Sequence, residues 1–337
     1  MRVRVAVLMG GRSSEHEISL ASARSVVEGL DLERYEVREV EIGRDGRWEL
    51  PSGQAELGAS RESLLPVPAN GSIEPLGGVD VVFPVLHGPF GEDGTVQGFL
   101  ELAGVAYVGS GVTASALCMD KDLFKSVMRD KGIAVARSLT ARRWDRGRVE
   151  SPFGFPVVVK PARLGSSVGI SVVRSPDELA AAVDLAFAHD EKILVEEFVE
   201  GVEVECSVLG NEQPIASLPG EIVPLASDWY DYEAKYAEGG MDLIIPARLE
   251  PETISRVQEL AVASFVAADC EGMARVDFFV RPDGEVVVNE LNTIPGFTAT
   301  SVYAKLFEAS GIPYGELLNR LVELALERQE RRSALRY

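Results

Sequence analysis

Residues 272–301 read GMARVDFFVRPDGEVVVNELNTIPGFTATS. Two apolar runs flank Arg281-Pro282-Asp283-Gly284. Pro fixes φ and Gly supplies a positive φ, so these four residues predict a tight turn and an antiparallel hairpin. Side chains alternate along a strand, which puts Arg275, Asp277 and Phe279 on one face of the first strand. Val288, Glu290 and Asn292 are expected on one face of the second. With the turn centred at 282–283, Arg275 should lie opposite Glu290, with Asp277 diagonal to it. Two carboxylates and an amide on one sheet face suit a hard cation such as Mg²⁺. Arg275 would stand beside them, free to meet an anion. Val286, Val287 and Val288 are apolar on both faces, which predicts a central, buried strand. Glu290 and Asn292 then fall at its carboxyl end, where α/β folds bind ligands. The competing reading is a solvated acidic hairpin; the buried strand and the Gly- and Pro-containing segment 292–298 weigh against it.

The chain of 337 residues is long enough for two or three domains. Its 46% hydrophobic and 26% charged content is ordinary for a globular protein. A net charge of −20 excludes an extended nucleic-acid surface but not a nucleotide, since local Lys and Arg can line a positive cleft. Cys118, Cys206 and Cys270 are scattered, which predicts free buried thiols in a reducing compartment. The start, RVRVAVLMGG, is too short and too charged for a signal peptide or membrane span. A cytoplasmic protein without membrane insertion is expected.

Residues 3–9 predict a buried parallel strand entering Gly10-Gly11. A helix should follow, with Ser14 and Glu17 as a capping box and Ile18, Ala21, Ser25, Val26 and Leu30 as its buried stripe. No GxGxxG is present, so this unit alone is a weak signal. Glu15 suits either the helix dipole or a substrate ammonium. Strands are expected at 35–42, 79–86 and 105–108, with a helix at 95–103; residues 51–78 read as irregular surface. The second strand of that set ends in His87-Gly88-Pro89-Phe90-Gly91-Glu92-Asp93-Gly94, another glycine-dense loop at a site position.

A helix is predicted from Cys118 to Lys131, stopped by Gly132. Residues 153–161 predict a strand with Lys160 at its end, and a lysine there needs an anionic partner. In Arg163-Leu164-Gly165-Ser166-Ser167-Val168-Gly169, small and hydroxyl residues let backbone N–H groups wrap phosphate oxygens, although the Walker spacing is missing. Ser175, Pro176 and Glu178 mark a helix start. Strands at 193–199 and onward to 209 could offer an edge to a nucleotide base.

The motifs occur in a fixed order: Gly10 to Ser19, His87 to Gly94, Met119-Asp120-Lys121, Lys160-Pro161 with Gly165 to Gly169, Tyr230 to Tyr236, Ile245-Pro246-Ala247, Arg275-Val276-Asp277, and Asn289 to Gly296. Together they resemble the D-alanine–D-alanine ligases of the ATP-grasp superfamily, over residues 3 to about 325. The resemblance implies an α/β and α+β architecture: an ATP-grasp fold with an N-terminal Rossmann-like domain. Three subdomains are expected: 1–118 for substrate, 119–209 as the central ATP-grasp part, and 210–337 carrying the metal site and a lid at about 225–245. It also implies a reaction in which ATP phosphorylates the carboxylate of one D-alanine and the amine of a second attacks the acyl phosphate.

The residue roles follow from the resemblance. Asp277, Glu290 and Asn292 would hold two Mg²⁺ or Mn²⁺, with a monovalent cation left open. Lys121, Lys160, Ser167, Glu196, Glu197, Phe198, Val199, Glu203, Lys235, Phe279 and Asn289 would bind ATP. Within that set Glu196 would meet the adenine amino group and Glu203 the ribose. Arg275 and the Gly296 N–H would form the oxyanion hole. Glu15 would bind the first D-alanine ammonium beside His87, linked to Ser166 and Tyr236, and Ser301 the second carboxylate. Lys235-Tyr236 matches the dipeptide-forming type over D-lactate- or D-serine-using relatives. Another ATP-grasp carboxylate–amine ligase is disfavoured by the Glu15 and Ser301 segments, and a non-catalytic ATP-binding module by the intact metal and arginine set. A homodimer is expected.

Overall fold

The computed structural model describes residues 2–49, 76–224 and 241–336. Its first sheet has the order β3-β2-β1-β4-β5, from β1 (Val3–Gly10), β2 (Tyr35–Ile42), β3 (Trp48–Glu49), β4 (Val81–Pro84) and β5 (Ala106–Tyr107). β1 pairs in parallel with both β2 and β4. Its unbroken apolar run is covered on both sides. Val5 and Val7 join a core with Ala23 and Val26 of α1 (His16–Gly29), while Ala6 and Leu8 meet Val96 and Leu100 of α2 (Thr95–Leu102). α3 (Val112–Met119) and α4 (Lys121–Asp130) lead to the second sheet.

That sheet has the order β6-β9-β7-β8, from β6 (Ser138–Arg142), β7 (Val157–Pro161), β8 (Ser171–Val173) and β9 (Lys192–Glu197), all pairs antiparallel. Leu179, Val183 and Phe187 of α5 (Pro176–His189) cover it. The third sheet, β13-β12-β10-β14-β15, uses β10 (Val202–Gly210), β12 (Gly220–Pro224), β13 (Met241–Ile244), β14 (Gly272–Val280) and β15 (Val286–Asn292), with β11 (Ile215–Ala216) beside β10. Val257 and Phe265 of α6 (Pro251–Ala267) pack on Val204, Val276 and Phe278. α7 (Val302–Ala309) and α8 (Tyr314–Ser333) return to the first domain, where Leu317, Leu321 and Val322 join the core of Val5 and Val7.

Several expectations change. The single helix from 118 to 131 is two, because Asp120 takes extended backbone and its carboxylate accepts from the Leu123 N–H, capping α4. The Ser14–Glu17 box does not form: Glu15 is the N-cap of α1 and makes no side-chain cap bond, while the Ser13 hydroxyl donates to the His87 carbonyl. The buried face of α1 carries His16, Ser19, Ser22, Ala23 and Val26, and Ala21 is exposed. β15 is an edge strand, not a central one; its Val288 N–H reaches the Ala134 carbonyl at 2.9 Å, so a loop covers the edge. The division at 209/210 cuts β10, which pairs along its length with β14, so the sheets change over between β9 and β10. The helix at the end of the chain packs on the N-terminal domain. Cys118, Cys206 and Cys270 are free and buried, as expected. Among the described residues no helix is long and apolar enough to cross a membrane.

Gly10 ends β1 with φ +84°, and a Cβ there would stand 2.4 Å from the Ile42 carbonyl oxygen. Gly10→Ala should therefore cost about 2–4 kcal/mol, combining left-handed backbone with a clash against main chain. Thermal unfolding checks this; a melting temperature equal to wild type would mean the β1–α1 turn is not held in this form.

Candidate active site

A cavity of about 400 Å³ opens between the second and third sheets. β7 and β9 contribute Lys160, Glu196 and Glu197 to one wall; Glu203, Phe279, Asn289 and Glu290 from β10, β14 and β15 form the other. Every described residue expected to bind nucleotide lines it: Lys121, Lys160, Ser167, Glu196, Glu197, Phe198, Val199, Glu203, Phe279 and Asn289. Ile222, Val223 and Pro224 of β12 line it as well, a contribution the sequence reading missed. Lys235, Tyr236 and residues 225–240 of the expected lid lie outside the described residues. Residues 241–244 of that lid form β13, paired with β12.

The cavity floor is built from buried charge. Lys121 begins α4, donates to the Leu164 carbonyl at 3.0 Å and lies 3.1 Å from Glu290. Burial is the strongest single influence and opposes its charge, but Glu290, Glu196 and Glu92 together hold the ammonium above its ordinary value. Lys160 finds the anion its position required, with Nζ 2.8 Å from Glu196. Lys125, absent from the sequence expectations, lies 3.3 Å from the other Glu196 oxygen. Burial opposes the Glu196 charge as well, yet these two lysines keep the carboxyl below its usual range.

The β14–β15 register differs from the expected one. Phe278 lies opposite Val288, but Asp277 lies opposite Glu290 and Arg275 opposite Asn292. Asn289 is thus the extra residue of a β-bulge. Val288 and Leu291 point into the core under α6, while Glu290 and Asn292 stay half-exposed on the other side. Val288 therefore does not share the Glu290 face. The bulge instead lets two consecutive residues, Asn289 and Glu290, line the cavity.

Arg275 is not free. Its Nε lies 2.7 Å from Asp277 and 2.9 Å from Glu205, and its Nη2 donates to Asp277 at 2.7 Å. Asn292 donates to Asp277 at 3.0 Å. Glu205 was overlooked although VEVEC at 202–206 alternates visibly, with Val204 and Cys206 in the core and the carboxylates on the cleft side. Among the described residues, no three or more His, Cys, Asp and Glu are gathered as a metal site. The donor chemistry of Asp277, Glu290 and Asn292 nonetheless fits Mg²⁺ or Mn²⁺: two carboxylates and an amide oxygen on neighbouring strands.

At one edge of the cavity the N-terminal domain arrives. Ser166 and Ser167 take left-handed backbone, φ +53° and +56°, uncommon for residues with a Cβ. The Ser166 hydroxyl donates to the buried Glu15 carboxylate. Gly88 takes left-handed backbone here, φ +74°, and a Cβ would also lie 2.5 Å from a Glu15 oxygen, which would have to move. The His87 ring nitrogens meet the Ile294 carbonyl at 3.1 Å and the Ser22 hydroxyl at 3.2 Å, tying α1 to the 293–296 loop. Gly296 sits close to Ser301, which stands at the N-cap of α7 without a side-chain cap bond; the Ser301 hydroxyl accepts from the Thr298 N–H at 3.0 Å.

Glu92, a residue not singled out from sequence, accepts from the Gly88 N–H at 2.6 Å. Withdrawal from water and the nearby Glu15 charge push its carboxyl up to about 8. Glu15→Gln removes the second cause, so Glu92 should titrate below 8 in that variant. Carboxyl ¹³C NMR reads this; an unmoved titration would leave burial as the sole cause.

Two antiparallel sheets closing on a lysine-floored cavity, behind a Rossmann-like domain that supplies a carboxylate, define an ATP-grasp ligase. Models of the D-ala D-ala ligase N-terminus and C-terminus match residues 4–110 and 127–323. A D-alanine–D-alanine ligase of Natranaerobius thermophilus is 46% identical over 98% of this chain and 96% of its own length. The crystal structure of the VanG D-Ala:D-Ser ligase from Enterococcus faecalis superposes with a TM-score of 0.84 at 38% identity, covering 96% of this chain and 100% of that one. That of the Bacillus anthracis D-alanine–D-alanine ligase complexed with ATP gives 0.78 at 28% identity, covering 98% and 99%. The chain belongs to the D-alanine–D-alanine ligase family.

Proposed function

We propose that this chain joins two D-alanines to D-alanyl-D-alanine for peptidoglycan precursor synthesis, with ATP as the phosphoryl donor. The observation that carries the reading is the bond from Ser166 to Glu15. Ser166 lines the nucleotide cavity, and Glu15 is the carboxylate assigned to a substrate ammonium. A D-alanine held there by its ammonium would present its own carboxylate toward the phosphate loop.

In the first step a carboxylate oxygen attacks the γ-phosphorus and ADP leaves. Both reactants are anions, so fixed positive charge does most of the work. Lys121 and Lys160 supply it from the floor, and the Ser166–Ser167 backbone adds N–H donors. Asp277, Glu290 and Asn292 would hold Mg²⁺ or Mn²⁺, which would supply positive charge against the phosphates. In the second step a deprotonated D-alanine amine attacks the acyl carbon. Arg275 and the Gly296 N–H take the developing oxyanion, Ser301 holds the incoming carboxylate, and phosphate departs with the oxygen it received. Glu203 would hold the ribose, Lys235 would meet the γ-phosphate and Tyr236 would hydrogen-bond toward Glu15.

D-serine is the second reading for the incoming substrate, favoured by the likeness to the VanG ligase. Phosphate release together with the identity of the dipeptide formed separates the two. It should require D-alanine, and D-lactate or D-serine offered with D-alanine should add little mixed product; equal D-alanyl-D-serine would favour the second reading. We also place the enzyme in the cytoplasm as a homodimer, for which light scattering on the eluted protein is the check.

A further inference from the structure

We propose that Lys125 is a positioning residue for nucleotide selection: it fixes Glu196 as an ionised hydrogen-bond acceptor, so that the cavity takes adenine over guanine. The proposal rests on the reading above, in which Glu196 meets the adenine amino group. Lys125 lies one helical turn after Lys121, so α4 presents both from one face. The two differ in what they can touch. Lys121, Lys160 and Glu196 line the cavity; Lys125 does not. It is 0% exposed, with Nζ 3.3 Å from one Glu196 oxygen, while Lys160 holds the other at 2.8 Å. Its influence on a ligand therefore passes through Glu196.

Stability alone does not account for a charge in this place. A buried ion pair is often replaced by apolar side chains at no loss, and Lys125 stands among Phe124 and Met128, both buried. Burial even pushes the Lys125 ammonium down to about 8, against the pull of Glu196. What the charge supplies is a property of Glu196. A carboxylate only accepts hydrogen bonds, whereas a protonated carboxyl can also donate. Adenine offers an amino donor at its 6-position and guanine a carbonyl acceptor. Glu196 is deeply buried, which alone favours the neutral form. Lys160 faces the cavity, where phosphate competes for it; Lys125 has no such competitor and keeps Glu196 ionised and in place.

The test compares full-length wild type, Lys125→Met, Lys125→Gln, Lys125→Arg, Glu196→Gln and the Lys125→Met/Glu196→Gln double variant, using ATP and GTP at saturating D-alanine. Lys125→Met should raise KM for ATP roughly ten- to hundredfold and shrink the ATP-to-GTP ratio of kcat/KM by a similar factor. kcat should change less than about threefold. Lys125→Arg should restore most of the preference. In the Glu196→Gln background the methionine change should add less than about twofold, because its route is gone. Circular dichroism checks folding, and the glutamine variant is read if methionine disturbs packing. A folded variant with an unchanged ATP-to-GTP ratio overturns the proposal, as does an undiminished effect in the Glu196→Gln background. Wild type that forms no dipeptide from D-alanine with ATP would instead overturn the functional reading.

Discussion

Glu290→Gln should lower turnover by about 10²–10⁴ with the fold intact. Glu290 lies at the end of edge strand β15, on the cavity, 3.1 Å from Lys121. Glutamine keeps its volume and its place in the strand. It removes the negative charge that a divalent cation would bind and that now holds Lys121. The loss should deepen as Mg²⁺ is lowered, since the remaining donors to the proposed ion would be Asp277 and the neutral Asn292. Steady-state rates across a Mg²⁺ series, with thermal unfolding as control, check this. Near-normal turnover would remove Glu290 from the site.

Arg275→Met should have the second large effect, on both chemistry and stability. Loss of an oxyanion partner costs about 10²–10³ in kcat. Removing the guanidinium also takes a close cation from Asp277 and Glu205, both buried, at about 3–5 kcal/mol. Arg275→Lys keeps the charge but loses the planar fork that spans both carboxylates, so it should recover only part of either loss. Single-turnover experiments separate the steps: dipeptide formation should fall more than ADP formation. If ADP formation falls as far, Arg275 serves the first step instead.

Most of the fold was legible because its signals are local. The apolar run of β1, the turn at 281–284 and the alternation of Arg275, Asp277 and Phe279 each follow from backbone sterics or period-two burial. The β15 register was not legible. A bulge adds one residue without any mark in composition, and Asn289 reads like any other strand residue. β15 was read as central because three valines looked covered; the cover on its edge is a loop from residues 133–136, distant in sequence. The burial of Lys121 and Lys125 was not legible, because the sheets that bury them are assembled from strands far along the chain. Asp120 did carry a signal, an aspartate three residues before the Leu123 N–H that it caps. Glu205 was legible too, by the same alternation that placed Asp277.

The central claim is that the substrate carboxylate is phosphorylated in the cleft between the two sheets. D-alanine labelled with ¹⁸O in its carboxylate tests it most directly, with the released phosphate analysed by mass spectrometry. One ¹⁸O atom should appear in the inorganic phosphate for each dipeptide formed. Phosphate free of label, or released equally well without D-alanine, would contradict it.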